Sequence, residues 1–326
     1  MRTLVLGGTG FIGRRIVEKL VARGDEVLVL HRGTTEPADW VSVRHLYADR
    51  DNLGGAVDAI KNFDPECVVD SNAMTGTDVE HALRVVPDVP TVVLSSQDVY
   101  EAVTALRAGT VTSAVPLRED AELRRERYPY RGKGYVGVPE DYEKLDVEAL
   151  WLPRGAVVLR LPMVYGPFDD QQREAPILRR IISNRSSIPI GPGTLLWSRA
   201  HVEDISDAVL AALDTRRADG MALNLGERDA YPIVAWYQQI IDSSGSDARL
   251  VQVPDAHVPP DLALTTSRPQ HLLVSVELST QLLGLKHPDP RDRVVESVTW
   301  HLANTPLRPF SEEEGRLEDE ALTQVI

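Results

Sequence analysis

A chain of 326 residues with 43% hydrophobic and 26% charged side chains suits one large α/β unit or a main domain with a smaller lobe, which excludes fibrous and disordered proteins. Its 35 basic and 49 acidic residues leave a formal charge of −14, which would repel a phosphate backbone or an anionic membrane, so neither is expected as a partner. The single cysteine, Cys67, permits no internal disulfide or Cys-rich zinc site, no apolar run reaches membrane-spanning length, and the chain starts on a strand, so a cytoplasmic protein is expected.

In chain order, an apolar run at residues 3–6, a glycine cluster, an amphipathic stretch at 14–23 and a second apolar run at 26–30 read as strand, turn, helix, strand. Further apolar runs at 41–47, 67–69, 91–94 and 156–161 mostly have helix-compatible sequence between them. Short buried strands alternating with helices predict an α/β fold with a doubly wound parallel sheet of the Rossmann type. Beyond Phe168 the pattern loosens, and Pro-rich turns at 188–192 and 253–260 separate short helical stretches such as 202–213 and 234–241. This predicts a smaller C-terminal α/β lobe. The expected division is a dinucleotide-binding domain at 1–167, a mainly substrate-binding lobe at 168–310 and an acidic tail at 311–326. In that tail six carboxylates accompany one arginine, Arg316, and a solvated segment is expected.

Gly7, Gly10 and Gly13 form G-x-x-G-x-x-G between the first strand and the first helix. A turn without Cβ atoms lets a pyrophosphate approach backbone N–H groups at the positive end of a helix, which is the requirement of a dinucleotide site. After the second strand come His31 and Arg32 instead of a carboxylate. A carboxylate there would hold an adenosine 2′-hydroxyl, whereas Arg32 with Thr34 could hold a 2′-phosphate. NADP is the expected coenzyme, with NAD as the alternative.

Further motifs follow in order: Asp49 after the third strand, SSQDVY from Ser95 to Tyr100, RLPMVYGP from Arg160 to Pro167, HVED from His201 to Asp204, NLG from Asn224 to Gly226, and a closing helix with Trp300. Together with the glycines these resemble the extended short-chain dehydrogenase/reductase family, also known as the NAD-dependent epimerase/dehydratase group, over residues 1 to about 302. The resemblance implies a coenzyme domain, a C-terminal substrate lobe and chemistry in the cleft between them. By that resemblance Gly7, Gly10, Phe11, Ile12 and Gly13 lie at the pyrophosphate, Arg32 near the adenosine ribose, Asp49 near adenine and Ala73 beside the nicotinamide. Ser96 stands where the family places the hydroxyl that bonds the reacting oxygen. A homodimer is implied only by analogy with family members.

One departure bears on the chemistry. The family's chemistry rests on Tyr-x-x-x-Lys, yet the residue four before Lys144 is Glu140, and Tyr142 is two before it. On a helix, positions four apart differ by about 40° and positions two apart by about 200°, so Tyr142 and Lys144 would face opposite ways. Three readings stay open. Glu140 could lie beside the Lys144 ammonium as an ionised base. Alternatively, the helix starts after Tyr142, with Pro139 upstream favouring such a start, and the phenol reaches the site by a non-helical approach. In the third, the acid comes from the aromatic loop that holds Tyr128, Tyr130 and Tyr135, or from no tyrosine. The second keeps a proton partner for Lys144 and is preferred.

The candidate catalytic residues are therefore Ser96, Tyr142, Lys144 and Glu140, with Lys144 also on the nicotinamide ribose. Gln97 and Asp98 occupy the place where the family's dehydratases carry acidic residues, although an Asp at a strand end is more often a turn residue. His201 is read as structural. The eight histidines show no ligand spacing, and no metal is expected. The expected activity is hydride transfer at a secondary alcohol or ketone of a small polar, sugar-nucleotide-like substrate. Arg173, Arg179, Arg180, Arg185 and Arg199 are candidate cations for a diphosphate. The alternative is a catalytically eroded, NADP-binding regulatory or RNA-associated protein. The charge of −14 opposes RNA, and the presence of Ser96 and Lys144 opposes complete erosion.

Overall fold

The computed structural model describes residues 1–37, 40–304 and 306–325. The chain opens with β1 (Arg2–Leu6), α1 (Phe11–Arg23), β2 (Glu26–His31), β3 (Arg44–Tyr47), α2 (Val57–Phe63), β4 (Cys67–Asp70) and α3 (Gly76–Leu83). It continues through β5 (Thr91–Ser96), α4 (Glu101–Ala108), α5 (Lys144–Trp151), β6 (Val157–Leu161) and β7 (Met163–Tyr165). Next come α6 (Ala175–Ile182), β8 (Ser187–Ile190), β9 (Arg199–His201), α7 (Val202–Asp214) and β10 (Ala222–Asn224). The described chain ends with α8 (Ile233–Ser244), β11 (Arg249–Gln252), α9 (Glu277–Leu283), α10 (Pro290–Asn304) and α11 (Glu312–Leu322).

Seven strands form one parallel sheet in the order β10-β6-β5-β4-β1-β2-β3. Alternation along each strand sends side chains to two apolar layers. Val5, Val27, Val29, Val69, Leu94 and Leu159 pack with Ile16, Val17 and Leu20 of α1. Leu4, Leu6, Leu28, Leu30, Val68, Val93 and Val158 pack with Ile60, Phe63, Val79, Val147 and Trp151. Burial on both faces explains why the strands read as unbroken apolar runs. The order reverses between β1 and β4, where open α/β sheets place their ligands, and the glycine turn follows the carboxyl end of β1.

After residue 167 the chain returns to this layer. Val202, Ile205, Ala208, Val209 and Ala212 of α7 join the core on the α1 face, and β10 extends the sheet beside β6. A second core, built on Tyr165, Ile177, Ile190, Trp236, Tyr237 and Val298, holds α6, α8 and α10 with the small parallel pair β8 and β11. The acidic segment is not a solvated tail. Ser311 and Glu314 close a capping box at the start of α11, Ala321 is buried, and Glu318 pairs with Arg180 and Arg185. Arginines distant in sequence thus pair with several carboxylates of that helix. Among the described residues no helix is long and apolar enough to cross a membrane.

Candidate active site

The glycine turn is shaped by backbone crowding on one side and open space on the other. Gly7 has φ +82°, and a Cβ there would lie 2.8 Å from Asn72 Cβ; a Cβ on Gly13 would lie 2.8 Å from Gly8 Cα. Gly10, by contrast, has nothing within 4 Å of where its Cβ would be. It is also the N-cap of α1 and supplies no side-chain cap, and the first turn holds no acidic residue. Phe11 and Ile12 pack against the core, and the first N–H groups of α1 have no acceptor within the helix. Such a cradle suits a pyrophosphate.

At the carboxyl end of β2, Arg32 is exposed and makes no ion pair among the described residues. The backbone N–H of Gly33 donates to His31 Nδ1 at 3.1 Å. This leaves the His31 proton on Nε2, where it points at His45 Nδ1 at 2.8 Å, and His45 Nε2 lies 3.4 Å from Glu36 Oε1. Tyr47 donates to the other Glu36 oxygen at 3.1 Å. His31, Glu36 and His45 are close enough to hold a metal ion, but the hydrogen-bond directions commit their facing nitrogens to one another. Asp49 caps the turn after β3 by accepting from Asp51 N–H.

The chemistry-bearing residues converge at the end of β5. Ser96 Oγ accepts from the backbone N–H of Asp98 at 3.1 Å. α5 starts at Lys144, so Tyr142 lies outside the helix and the 200° conflict does not arise. The phenol of Tyr142 faces the Ser96 hydroxyl and the Asp98 carboxylate, and its ring lies 5.9 Å from Lys144 Nζ. Lys144 Nζ donates to Ala73 O at 2.5 Å and Leu94 O at 2.9 Å. A third phenolic element joins them: Tyr130 O–H donates to Asp98 Oδ2 at 3.1 Å, and its ring meets that of Tyr142 edge-on at 5.0 Å.

Burial, then the nearby Asp98 carboxylate, raises the Tyr142 phenol well above its usual range. The same two causes push Tyr130 up to about 12. Burial also raises Asp98 and lowers Lys144. Like any tyrosine, both phenols carry their protons at neutral pH, so the site holds two O–H groups beside Asp98.

Two buried ion pairs fix this geometry. Glu143 caps α5 through Leu145 N–H and pairs with the fully buried Arg124 at 2.5 Å, whose Nε also donates to Asp98 O at 2.9 Å. Glu148 pairs with Arg160 at 2.8 Å and accepts from Ser95 at 2.6 Å. Arg160 then donates to Tyr100, which donates to Asn224. The SSQDVY, RLPMVYGP and NLG motifs thus meet in one buried network.

The profile of the NAD dependent epimerase/dehydratase family matches residues 3–120 and 153–226, more than half of the chain. The protein belongs to this family. With membership comes the coarse activity, that of a nicotinamide-dependent enzyme of the reductase, epimerase or dehydratase kind. This family member is 24% identical over 261 residues to 2'-dehydrokanamycin reductase of Streptomyces kanamyceticus, covering 78% of this chain and 70% of that protein. It is also 24% identical over 322 residues to the chloroplast stem-loop binding protein of 41 kDa b of Arabidopsis thaliana, covering 91% of this chain and 77% of that one. Its fold matches dTDP-glucose 4,6-dehydratase of Bacillus anthracis, solved with NAD, at a TM-score of 0.71 and 18% identity, over 94% of this chain and all of the other. Residues 121–152, with Tyr130, Tyr142 and Lys144, lie between the two stretches that match the family profile.

Not every candidate residue reaches the family's site. Glu140 is exposed and accepts from the backbone N–H of Gly132 at 2.5 Å. Because α5 begins only at Lys144, no helical register brings Glu140 beside that lysine. The arginines read as diphosphate cations are engaged elsewhere. Arg173 pairs with Asp169, Arg179 with Glu314, Arg180 with Asp261 and Glu318, and Arg185 with Glu318 and Asp319. Arg199 is buried 4.0 Å from Glu227. His201 caps α7 through Glu203 N–H, and burial lowers it to about 3, so it stays neutral. Sequence reasoning missed Arg124 and Glu143, because their pairing is visible only once the 124–143 loop has folded back on itself.

Proposed function

We propose that this family member is an NADPH-dependent reductase of a small polar ketone, with Tyr142 as the proton donor. The observation that carries the reading is the meeting of the Tyr142 phenol, the Ser96 hydroxyl and the Lys144 ammonium at the end of β5. In this reading the amides after Gly10 hold the pyrophosphate, Arg32 the 2′-phosphate, Asp49 the adenine and Lys144 the ribose at the nicotinamide end. The nicotinamide, when bound, supplies the hydride. Ser96 O–H bonds the substrate carbonyl oxygen and fixes its position. Tyr142 transfers its proton to that oxygen as the carbonyl becomes an alcohol. Lys144 is locked to Ala73 O and Leu94 O, with its Nζ 5.9 Å from the Tyr142 ring, and would hold the ribose.

The likeness to 2'-dehydrokanamycin reductase supports a ketone on a glycoside or similar polar ring. Because Arg173, Arg179, Arg180 and Arg185 already hold carboxylates, they support a substrate without a diphosphate better than a sugar nucleotide. The buried Cys67, the only cysteine, accords with a reducing cytoplasm. A second reading, an RNA-associated protein, draws on the similarity to the stem-loop binding protein; the charge of −14 and the convergence of Ser96, Tyr142 and Lys144 favour the enzyme.

The test is fluorescence titration with NADPH and NADH, followed by turnover with simple ketones, keto-glycosides and sugar nucleotides. NADPH is expected to bind more tightly, and Arg32→Ala to remove most of the difference. Tyr142→Phe is expected to lower kcat by about 10²–10⁴-fold with coenzyme affinity unchanged. Full activity in Tyr142→Phe would remove the phenol from the mechanism, and coenzyme binding without turnover on any ketone would favour the binding protein.

A further inference from the structure

Behind Tyr142 the structure carries a second phenol and a buried carboxyl that the reduction just proposed does not use. Asp98 is 8% exposed. Its Oδ2 accepts from Tyr130 at 3.1 Å, while its Oδ1 is buried without a fully formed hydrogen bond and the phenol of Tyr142 faces the carboxyl. Tyr130 in turn accepts from Arg107 Nη2 at 2.8 Å, and the Arg107 guanidinium lies 4.8 Å from the Tyr130 ring centre. Arg107 is on the exposed side of α4. A line of oxygen atoms therefore runs from the solvent edge at Arg107, through Tyr130 and Asp98, to Tyr142 and Ser96.

We infer that Asp98 works as a protonated carboxylic acid that reloads Tyr142 after each turnover, and that Tyr130, positioned by Arg107, returns a proton to Asp98 from the solvent side. This rests on Tyr142 being the proton donor. After Tyr142 gives its proton to the substrate oxygen, an ionised Asp98 would leave a phenolate and a carboxylate adjacent in a buried site, an arrangement of high energy. A protonated Asp98 avoids it. The Asp98 O–H bond breaks as the Tyr142 O–H bond forms, the Tyr130 O–H proton passes to Asp98, and a proton from water replaces it on Tyr130, so one solvent proton enters per alcohol made.

The groups facing Asp98 set when the acid form is present. Arg124 and Lys144 favour the ionised form, as does hydrogen bonding from Tyr130 and Tyr142, and burial opposes them. Activity should therefore fall as pH rises through the Asp98 titration. Removing the Tyr130 hydroxyl takes away one donor to the carboxylate and moves that limb to higher pH.

The experiment is the pH dependence of kcat in the wild type, Tyr130→Phe, Arg107→Gln and Asp98→Asn, with coenzyme titrations as the check on folding. In Tyr130→Phe the plateau kcat should fall about tenfold or more, with KM and coenzyme affinity unchanged, and the alkaline limb should move to higher pH. In Arg107→Gln a smaller loss of kcat is expected, and in Asp98→Asn the limb should vanish. If Tyr142→Phe is inactive while Tyr130→Phe and Asp98→Asn keep the wild-type kcat and limb, the relay is wrong and the reductase stands. If Tyr142→Phe is fully active, the reading beneath the relay fails first.

Discussion

Gly10 and Gly13 look alike in the sequence, and their surroundings give them opposite roles. A methyl group on Gly13 would be driven against the Gly8 backbone, 2.8 Å away, whereas one on Gly10 would project into space where nothing lies within 4 Å. Gly10 is in extended backbone at φ −92°, which any residue tolerates. Gly10→Ala is therefore expected to leave the melting temperature unchanged and weaken NADPH binding about tenfold or more, because the added Cβ would occupy the approach of the pyrophosphate. Gly13→Ala should lower the melting temperature as well. Thermal melts with coenzyme titration separate the two, and equal losses of stability would mean that Gly10 serves the fold. These positions were legible because a close approach dictates residue type locally. Tyr142 was legible only in part: Pro139 hinted at a late helix start, but the stop that sets it is Glu143, held by Arg124 and by its own N–H on Met74 O at 2.8 Å.

At the level of elements, α11 shows how charge read along the chain misleads. Its carboxylates have one arginine among them in sequence, yet Arg179, Arg180, Arg185 and Arg308 meet them in space. The Ser311 to Glu314 capping box was the signal that could have marked the segment as helical. Glu318 is the anchor, 2% exposed against the equally buried Arg180. Glu318→Ala would leave Arg180 with Asp261 alone and expose the contact between α11 and β8. Removing one partner of a buried pair costs about 3–5 kcal/mol, and the remaining Asp261 places this case near the lower figure. Urea unfolding should show that loss, while Glu312→Gln, at an exposed position, should show none. A wild-type midpoint in Glu318→Ala would mean that α11 contributes nothing to the lobe. The central strands were legible because parallel strands buried on both faces are apolar throughout; β10 was not, because three residues carry too little pattern and its place in the sheet is set by β6.

For the molecule as a whole, stability should fall toward alkaline pH in a way that one side chain controls. Glu174 stands at the start of α6, its Oε1 accepts from Ser297 of α10, its Oε2 is buried without a hydrogen bond, and His301 of α10 lies 3.5 Å away. His301 Nε2 is also 3.1 Å from Gly166 O, so this contact joins the end of β7 to both lobe helices. Burial, despite the Ser297 bond and aided by the nearby Asp169, pushes Glu174 up to about 7. A carboxyl that titrates higher in the folded than in the unfolded chain stabilises the fold while protonated. That stabilisation is complete below the unfolded value and is lost as pH rises through about 7. The displacement from 4.5 to about 7 corresponds to about 3–4 kcal/mol, lost between roughly pH 4.5 and 8. Glu174→Gln keeps the acceptor for Ser297 and removes the titration, so its unfolding free energy should vary less with pH and exceed the wild type's at pH 8. Urea unfolding at several pH values measures this directly, and an unchanged slope in Glu174→Gln would place the titrating group elsewhere. The kcat limb assigned to Asp98 should be unaffected by this substitution, because Glu174 lies in the lobe core and Asp98 at the end of β5, which separates loss of fold from loss of proton transfer.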